Sequence, residues 1–520
     1  MTLRIHIFLL SIVSLALLNA CGTTAPVPVE KPVVIKEQPR EPEVSKSDIY
    51  DLQYLMEKDP ADRSLAETME LSRQMTTYQP DIALQVLRSL EFIPSAQLNT
   101  MIEGQTYDPE FTEWLELALL SRRVIVGQTS PATAARRWSN YHYGHVITQA
   151  DFSSLMGRYA SLYPVPEQVA VLLPTEGGLS SAAKAIRDGI LSAYLEQPGN
   201  AVLRFYSSGN SSDSAISAYL QAREDGATQI IGPLRNASAG ALAGLKDSSV
   251  PILLLNEPVE SSADPIQESI INSLSLSQTD EAMAIAEHAL SQGQKRVIVI
   301  VPDTAWGRRI EAAFVSRFEE SEGQVSAATR FKSTSEEYSG MLTQLLKIDE
   351  SKQRKTDLQA WLGTSLNFEP SQRDDFDFIF LAASPSEGRE LKPLLRFHDA
   401  GDIPVLAMGR IFSGKNEPAP NQDLNNIVFP ITSWQLQAAG GELPALESIR
   451  GGSFGNLFAL GKDAWHVLPW LPLMQKDPDL LFPGDVGALR MQADGHLGRQ
   501  PAWAQFSAGQ PVPYEWPDRR

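Results

Sequence analysis

The run Val169-Ala170-Val171-Leu172-Leu173-Pro174 marks the point at which the character of the chain changes. Five apolar residues in succession, ended by a proline, are typical of a strand buried on both faces of a parallel sheet. The strands that follow are predicted at 202–206, 228–232 and 250–255, and the connecting helices at 182–195, 214–225 and 237–246. This β-α-β-α-β-α-β order predicts an α/β unit with helices on both faces of the sheet.

A second series of the same kind begins near residue 279. Its strands are predicted at 296–301, 324–331, 378–381 and 403–408, and its helices at 279–291, 306–319, 335–347 and 386–397. Two doubly wound series in succession predict two lobes with a cleft between them, over residues 167–515. Open parallel sheets bind ligands at the carboxyl ends of their strands, so a ligand should contact the loops at this cleft.

Three loops fall on the predicted cleft edge. Thr175-Glu176-Gly177-Gly178 follows the first strand, Gly232-Pro233 follows the third, and Asn256 follows the fourth. Glycine-rich turns between a strand and a helix offer backbone amides to anions, although these glycines match no dinucleotide-binding fingerprint. Tight turns in a scaffold explain the same residues, so ligand binding and turn geometry both stay open for these loops.

Helical periodicity dominates the region before the first lobe, over residues 47–163. Apolar residues recur three or four positions apart, and prolines stand where helices would begin or end. Successive helix pairs suggest tetratricopeptide-like hairpins, but no clean 34-residue repeat is present. An array of hairpins and an irregular helical bundle are both compatible with this pattern.

The amino terminus has the features of an export signal. Met1 and Arg4 begin an apolar run that closes on Leu18-Asn19-Ala20-Cys21, and Cys21 is the only cysteine in the 520 residues. The run is shorter than the roughly 20 residues needed to span a bilayer. It resembles a bacterial lipobox, which implies a signal peptide at 1–20 and lipidation of Cys21. Because Gly22 rather than aspartate follows, the resemblance also implies an outer-membrane anchor facing the periplasm.

A proline-rich segment separates the lipidation site from the helices. Residues 21–46 contain five prolines and show neither a helical nor a strand period. We predict a linker, which in a polyproline-like state would reach on the order of 75 Å at ~3.1 Å per residue.

The charge balance argues against several classes of partner. The chain carries 44 Lys and Arg against 63 Asp and Glu, a net charge of −19. An acidic chain without a basic cluster gains nothing from neutralising phosphates, so we predict no nucleic-acid partner. Anionic lipid surfaces repel such a chain, so the lipid on Cys21 must hold it to the membrane.

A serine motif near the end of the second series carries the one hydrolase signal. Gly451-Gly452-Ser453-Phe454-Gly455 matches the G-x-S-x-G pattern of nucleophile elbows. The residues before it form a poor strand pattern, and no aspartate or histidine is evidently placed to complete a triad. We predict a turn that starts a helix, and a hydrolase is the least favoured of the functions considered.

Other chemistry-bearing residues also favour structural roles. His142 and His145 form a poor metal set, and the acids at 374, 375 and 377 match a solvated strand boundary. We therefore predict that the chain is not an enzyme and holds neither a metal nor a cofactor.

Several motifs resemble those of the LppC/LpoA family of penicillin-binding-protein activator lipoproteins. They are Leu366-Asn367-Phe368-Glu369-Pro370, Arg373-Asp374-Asp375-Phe376-Asp377, Leu391-Lys392-Pro393-Leu394-Leu395-Arg396-Phe397, Ala400-Gly401-Asp402-Ile403-Pro404-Val405, Phe458-Ala459-Leu460-Gly461-Lys462-Asp463-Ala464-Trp465 and Gly484-Asp485-Val486-Gly487. A closing stretch at 503–512 resembles that family's carboxyl-terminal hairpin region. The resemblance covers about residues 167–515 and implies a type I periplasmic-binding-protein fold for the two lobes.

The resemblance implies an activity as well as a fold. It implies a non-enzymatic outer-membrane lipoprotein that contacts a class A penicillin-binding protein and stimulates its transpeptidase. The helical region of about 115 residues is shorter than the array of longer members, which leaves its role open. The polar segment from Ser351 to Arg373, expected as an irregular excursion, is the predicted docking element. The alternative is a lipid-anchored receptor that closes its lobes on a small solute.

Overall fold

The computed structural model describes residues 51–105, 107–196, 200–245, 249–258, 270–332, 335–369, 371–415, 417–437, 449, 451–452 and 454–515. Cys21, the predicted signal peptide, the predicted linker and Ser453 lie outside these residues. Among the helices of the described part, none combines the length and the apolar character that crossing a membrane requires.

The first part of the described chain is all-helical. Its helices are α1 (Leu52–Glu57), α2 (Leu65–Arg73), α3 (Pro80–Leu90), α4 (Ser95–Glu103), α5 (Pro109–Ile125), α6 (Pro131–Tyr141) and α7 (Gln149–Ala160), with a 3₁₀ turn at Pro60–Asp62. Proline occupies the first position of α3, α5 and α6, where its missing N–H costs no hydrogen bond. The Ser64 and Glu67 side chains form a capping box at the start of α2.

These helices pack as successive hairpins. The pairs α2/α3, α4/α5 and α6/α7 are in contact, and α3, α5 and α7 also pack against one another. Their shared core is built around the buried rings of Phe111, Trp114, Trp138, Phe152 and Tyr159. The helical prediction is therefore confirmed, and of the two alternatives the hairpin arrangement describes the pairing better.

Lobe 1 contains the first predicted α/β series. Its strands are β1 (Gln168–Leu173), β2 (Val202–Ser207), β3 (Gln229–Ile231), β4 (Ile252–Leu254) and β5 (Ile271–Ser273), and its helices are α8 (Ser180–Glu196), α9 (Ser212–Glu224) and α10 (Asn236–Ala243). The strands are parallel in the order β2-β1-β3-β4-β5. Val169 and Val171 enter the core on one face of the sheet, whereas Ala170 and Leu172 enter the core on the other. This alternation explains why every residue of the β1 run is apolar.

Lobe 2 repeats this strand order. Its elements are α11 (Gln278–Ser291), β6 (Arg296–Pro302), α12 (Ala305–Glu320), β7 (Gln324–Phe331), α13 (Ser335–Leu345), α14 (Ile348–Leu362), β8 (Phe378–Leu381), α15 (Pro385–Phe397), β9 (Val405–Ala407), α16 (Pro418–Asn421), β10 (Ile427–Ile431) and α17 (Ser433–Leu436), with 3₁₀ turns at Gly409–Ile411 and Gln422–Leu424. The parallel order is β7-β6-β8-β9-β10. Both lobes are thus doubly wound, as predicted.

The last part of the chain contributes to both lobes. It comprises α18 (Gly455–His466), a 3₁₀ turn at Leu468–Trp470, α19 (Leu471–Lys476), β11 (Leu481–Gly484), β12 (Gly487–Met491), β13 (Leu497–Gln500), β14 (Ala502–Ser507) and β15 (Gln510–Pro513). Helix α18 packs on α8 of lobe 1, and β11, β12 and β13 form a separate antiparallel sheet. Strands β14 and β15 then extend the sheet of lobe 2 beyond β10.

One prediction is wrong in part. The sequence predicts that the segment from Ser351 to Arg373 is irregular, but residues 351–362 belong to helix α14, and among the described residues 363–369 and 371–373 form a loop. Ile348 and Ser351 are the buried residues of α14, whereas its apolar residues Leu358, Trp361 and Leu362 are exposed, so this helix adds no apolar stripe to a core. Its polar residues nevertheless include strong helix formers, so intrinsic propensity rather than core packing favours this helix.

A buried ion pair joins the helical part to lobe 1. The Arg122 guanidinium lies 2.6 Å from the Asp477 carboxylate, and both side chains are almost fully buried. Arg122 also donates to the carbonyls of Leu90 and Ile93, and Asp477 accepts from the backbone N–H of Ser95 at the start of α4. These added hydrogen bonds offset part of the cost of removing two charges from water.

Candidate functional site

The predicted cleft loop after β1 is exposed. Thr175, Glu176, Gly177 and Gly178 all face solvent, and the Thr175 hydroxyl lies 2.9 Å from the hydroxyl of Ser207. Gly177 has a φ of +84°, and a Cβ at this position would lie 2.8 Å from Oδ1 of Asn210. This glycine is therefore required by the turn itself.

The other two cleft loops are occupied by internal contacts. Gly232 and Pro233 are buried, and a Cβ on Gly232 would collide with the carbonyl of Leu172. The Asn256 amide donates to the Leu234 carbonyl and exchanges hydrogen bonds with the side chain of Asn236. Close packing of neighbouring strands and loops thus accounts for the conformation of these residues.

The predicted cleft residues do not converge on one cavity. Thr175 lines a depression of about 370 Å³ beside β2, whereas Asn256 lines a separate one of about 400 Å³ next to Leu234 and Leu457. Solute receptors bury most of a ligand between convergent polar groups. Within the described residues, these loops provide no such convergence.

A polar cluster lies where the chain passes from lobe 1 to lobe 2. The His496 ring places Nε2 3.2 Å from Oδ2 of Asp280 and Nδ1 3.0 Å from the hydroxyl of Ser273. The Glu257 carboxylate accepts from the Ser275 hydroxyl at 2.9 Å. Burial acts to lower the pKa of His496, but the hydrogen bond and charge of Asp280 and the charge of Glu257 outweigh it and raise this pKa. Sequence analysis missed this cluster, because its members come from distant parts of the chain.

The end of α14 presents an apolar surface to solvent. Trp361 is 83% exposed, and Leu358 and Leu362 are each 50% exposed. The three residues stand at positions i, i+3 and i+4, so they share one face of the helix. We call them the α14 apolar face. It lies inside the segment that the sequence predicted as a docking element.

Both ends of α14 are fixed by local backbone geometry. The helix starts after Lys347 and ends before Gly363, and both residues have left-handed backbone conformations, with φ of 58° and 66°. The return loop is tied back where the Ser371 N–H donates to the Ser351 hydroxyl at 3.1 Å. The position of the α14 apolar face is therefore fixed by the two ends of the helix and by the return loop.

The acidic run before β8 has the predicted boundary role. Arg373 forms a bidentate contact with Asp375, and Arg296 lies 2.7 Å from Asp377. The hydrogen bonds from Arg373 lower the pKa of Asp375.

The two histidines in the helical part were predicted to be structural. His142 stacks on Trp138 and lies 3.0 Å from the carboxylate of Glu116, a neighbour that sequence analysis did not anticipate. The His145 Nδ1 accepts from the Ile147 N–H at 3.1 Å, and its ring packs against Trp114 and Trp138. Burial lowers the pKa of His145 to about 4.

Two of the family-like motifs contact each other. The Asp463 carboxylate of α18 accepts from the backbone N–H groups of Asp485 and Val486, at 2.8 and 2.7 Å, in the turn between β11 and β12. A Cβ on Gly484 would lie 2.6 Å from this carboxylate. The aspartate of one motif thus fixes the glycine-flanked turn of the other, which is a structural role.

Comparison with known proteins gives the family. The sequence model of the protein family described as "LppC putative lipoprotein" matches residues 67–509 of this chain. A protein of Photobacterium profundum named penicillin-binding protein activator LpoA is 24% identical over 408 residues, which cover 76% of this chain and 65% of that protein. A protein of the same name from Vibrio antiquarius is 24% identical, with 88% of this chain and 77% of that protein covered. The chain thus spans slightly less than two thirds of the first relative.

Solved structures show the same fold. Full-length LpoA from Haemophilus influenzae is similar over 89% of this chain and 84% of its own, with a TM-score of 0.55 and 16% identity. The C-domain of LpoA from the same organism, described as a regulator of PBP1A, is covered in full by 67% of this chain, with a TM-score of 0.52 and 20% identity. The family match extends over both the helical part and the two lobes, and the chain belongs to the LppC family.

Proposed function

We propose that this protein is a non-enzymatic activator of a class A penicillin-binding protein, anchored through lipid on Cys21 to the periplasmic side of the outer membrane. Its family membership, and the activator name of the relatives, support the partner class. The sequence signals at residues 1–46 support export, lipidation and a long linker. The proposed anchor and linker would let the folded part reach a synthase away from the outer membrane.

The observation that carries the proposal is the α14 apolar face. Exposed tryptophan flanked by leucines costs solvation free energy unless a partner covers it. Tryptophan is also enriched among the residues that contribute most to protein–protein binding. A helix with anchors at i, i+3 and i+4 suits an apolar groove on its partner. We assign this face to the synthase.

Activation requires more than attachment. A binding partner shifts a conformational equilibrium only if it binds one state more tightly than the other. The α14 apolar face would therefore contact a surface of the synthase that is formed, or more accessible, in the state competent for transpeptidation.

Substitution of Trp361 tests the docking assignment. We expect Trp361→Ala to reduce stimulation of cross-linking by a purified class A synthase at least tenfold at subsaturating concentration, while the thermal midpoint stays near that of the wild type. The matched control is Tyr143→Ala, because Tyr143 is 97% exposed on the helical part. Equal stimulation by Trp361→Ala, Tyr143→Ala and the wild type would refute docking through α14.

A further inference from the structure

The cluster between the lobes brings together two carboxylates and one imidazole from three separate segments. Glu257 follows β4 in lobe 1, Asp280 lies in the first turn of α11 in lobe 2, and His496 immediately precedes β13. One ligand atom from each of these residues lies within 4.8 Å of the other two. All three side chains are half-buried, so water and ions retain access.

The spacing fits a small coordination sphere. Zinc bonds of roughly 2.1 Å to nitrogen and oxygen in a tetrahedral site place neighbouring ligand atoms about 3.4 Å apart. The observed separation between His496 Nε2 and Asp280 Oδ2 is 3.2 Å. One Glu257 oxygen lies within 4.8 Å of a ligand atom on each of the other two residues, so the three can form a set in which water supplies the fourth position.

Outer contacts orient the ligands in the way that metal sites require. The hydroxyl of Ser273 engages Nδ1 of His496, and Nε2 lies 3.2 Å from Oδ2 of Asp280. Ligating histidines commonly hold their second nitrogen in such a contact. Arg499 forms an ion pair at 3.7 Å with Glu281, the residue that follows Asp280 in the sequence.

We propose that Glu257, Asp280 and His496 bind a divalent transition-metal ion that links the two lobes. An imidazole nitrogen and two carboxylates suit zinc and its first-row neighbours. Calcium prefers six to eight oxygen ligands and magnesium retains several waters, so neither suits this set. A bound ion would hold lobe 1, lobe 2 and the third sheet in one relative arrangement.

Titration of the full-length chain in detergent micelles with zinc chloride tests this site. We expect one high-affinity ion per chain, and at least tenfold weaker binding by His496→Gln and Glu257→Gln. The control variant is His142→Gln, which removes a different histidine–carboxylate contact and should bind zinc as the wild type does. Circular dichroism of each variant establishes that it is folded.

Cobalt provides a second readout, which reports the coordination geometry of the bound ion. Co²⁺ in the wild type should give the strong visible absorption of a tetrahedral site, and His496→Gln should lose it. Zinc binding that is equal in the wild type and His496→Gln, or that calcium displaces at equal concentration, would overturn the proposal. Metal binding is measured without the synthase, so its outcome does not depend on whether the proposed activator function is correct.

Discussion

His145 shows how one buried side chain sets a pH dependence. In the folded state its Nδ1 is an acceptor and its pKa is about 4, whereas an unfolded histidine has a pKa near 6.5. Between these two values the unfolded chain binds the proton and the folded chain does not. Stability from this group is therefore complete above pH 6.5 and falls as the pH decreases toward 4.

The expected size of this effect is measurable. We expect the free energy of unfolding to be about 1 to 2 kcal/mol lower at pH 5 than at pH 7.5 because of His145. His145→Asn keeps a hydrogen-bond acceptor but cannot take up the proton. Urea unfolding at both pH values should show a smaller pH dependence for this variant, and an unchanged pH dependence would contradict the assignment.

Asp463 illustrates what a motif residue contributes. Burial raises its pKa to about 7, although two backbone N–H groups stabilise its ionised form. Its motif pointed correctly to the family, but the structure gives this residue a role in fixing a turn. A motif that identifies a family therefore need not mark the surface that carries its function.

Among the elements, the crossing of α8 and α18 depends on two glycines. A Cβ on Gly461 would collide with the carbonyl of Ile186, and a Cβ on Gly189 would collide with the carbonyl of Phe458. The two helix backbones approach so closely that only glycine fits at either position. This crossing fixes the carboxyl-terminal part of the chain on lobe 1.

Alanine substitution tests that crossing. We expect Gly461→Ala to lower the free energy of unfolding by about 1 to 3 kcal/mol, since the helices must separate to admit the methyl group. The matched control is Gly157→Ala in α7, where a Cβ would meet no atom within 4 Å. That change should be neutral or stabilising, because alanine favours the helix. Equal effects of both changes in chemical denaturation would show that the crossing tolerates a side chain.

The elements that were predicted well are those whose pattern is set by burial. Strands β7 and β8 have the predicted bounds, because apolar runs or alternation reflect their place in a sheet. Helix α14 was not predicted, because most of its residues are polar and its apolar residues near the end are exposed and do not pack in the core. Strand β10 contains Pro430, which pairs with Trp503 of β14 and weakens any strand signal in the sequence.

For the whole molecule, sequence order predicted the two lobes but not how distant segments meet. The helical part and the two doubly wound lobes follow from successive local patterns. The cluster of Glu257, Asp280 and His496 depends on three-dimensional folding, and so does the joint between Arg122 and Asp477. No local spacing signals these contacts, since His496 is more than 200 positions from its two neighbours and Arg122 is more than 300 positions from Asp477.

The most direct test is the cross-linking of peptidoglycan made from lipid II by a purified class A penicillin-binding protein, with and without the full-length chain in detergent. The proposal predicts a higher cross-linked fraction when the chain is added, in a dose-dependent and saturable manner. No change in that fraction, with both proteins shown to be folded, would contradict the activator function.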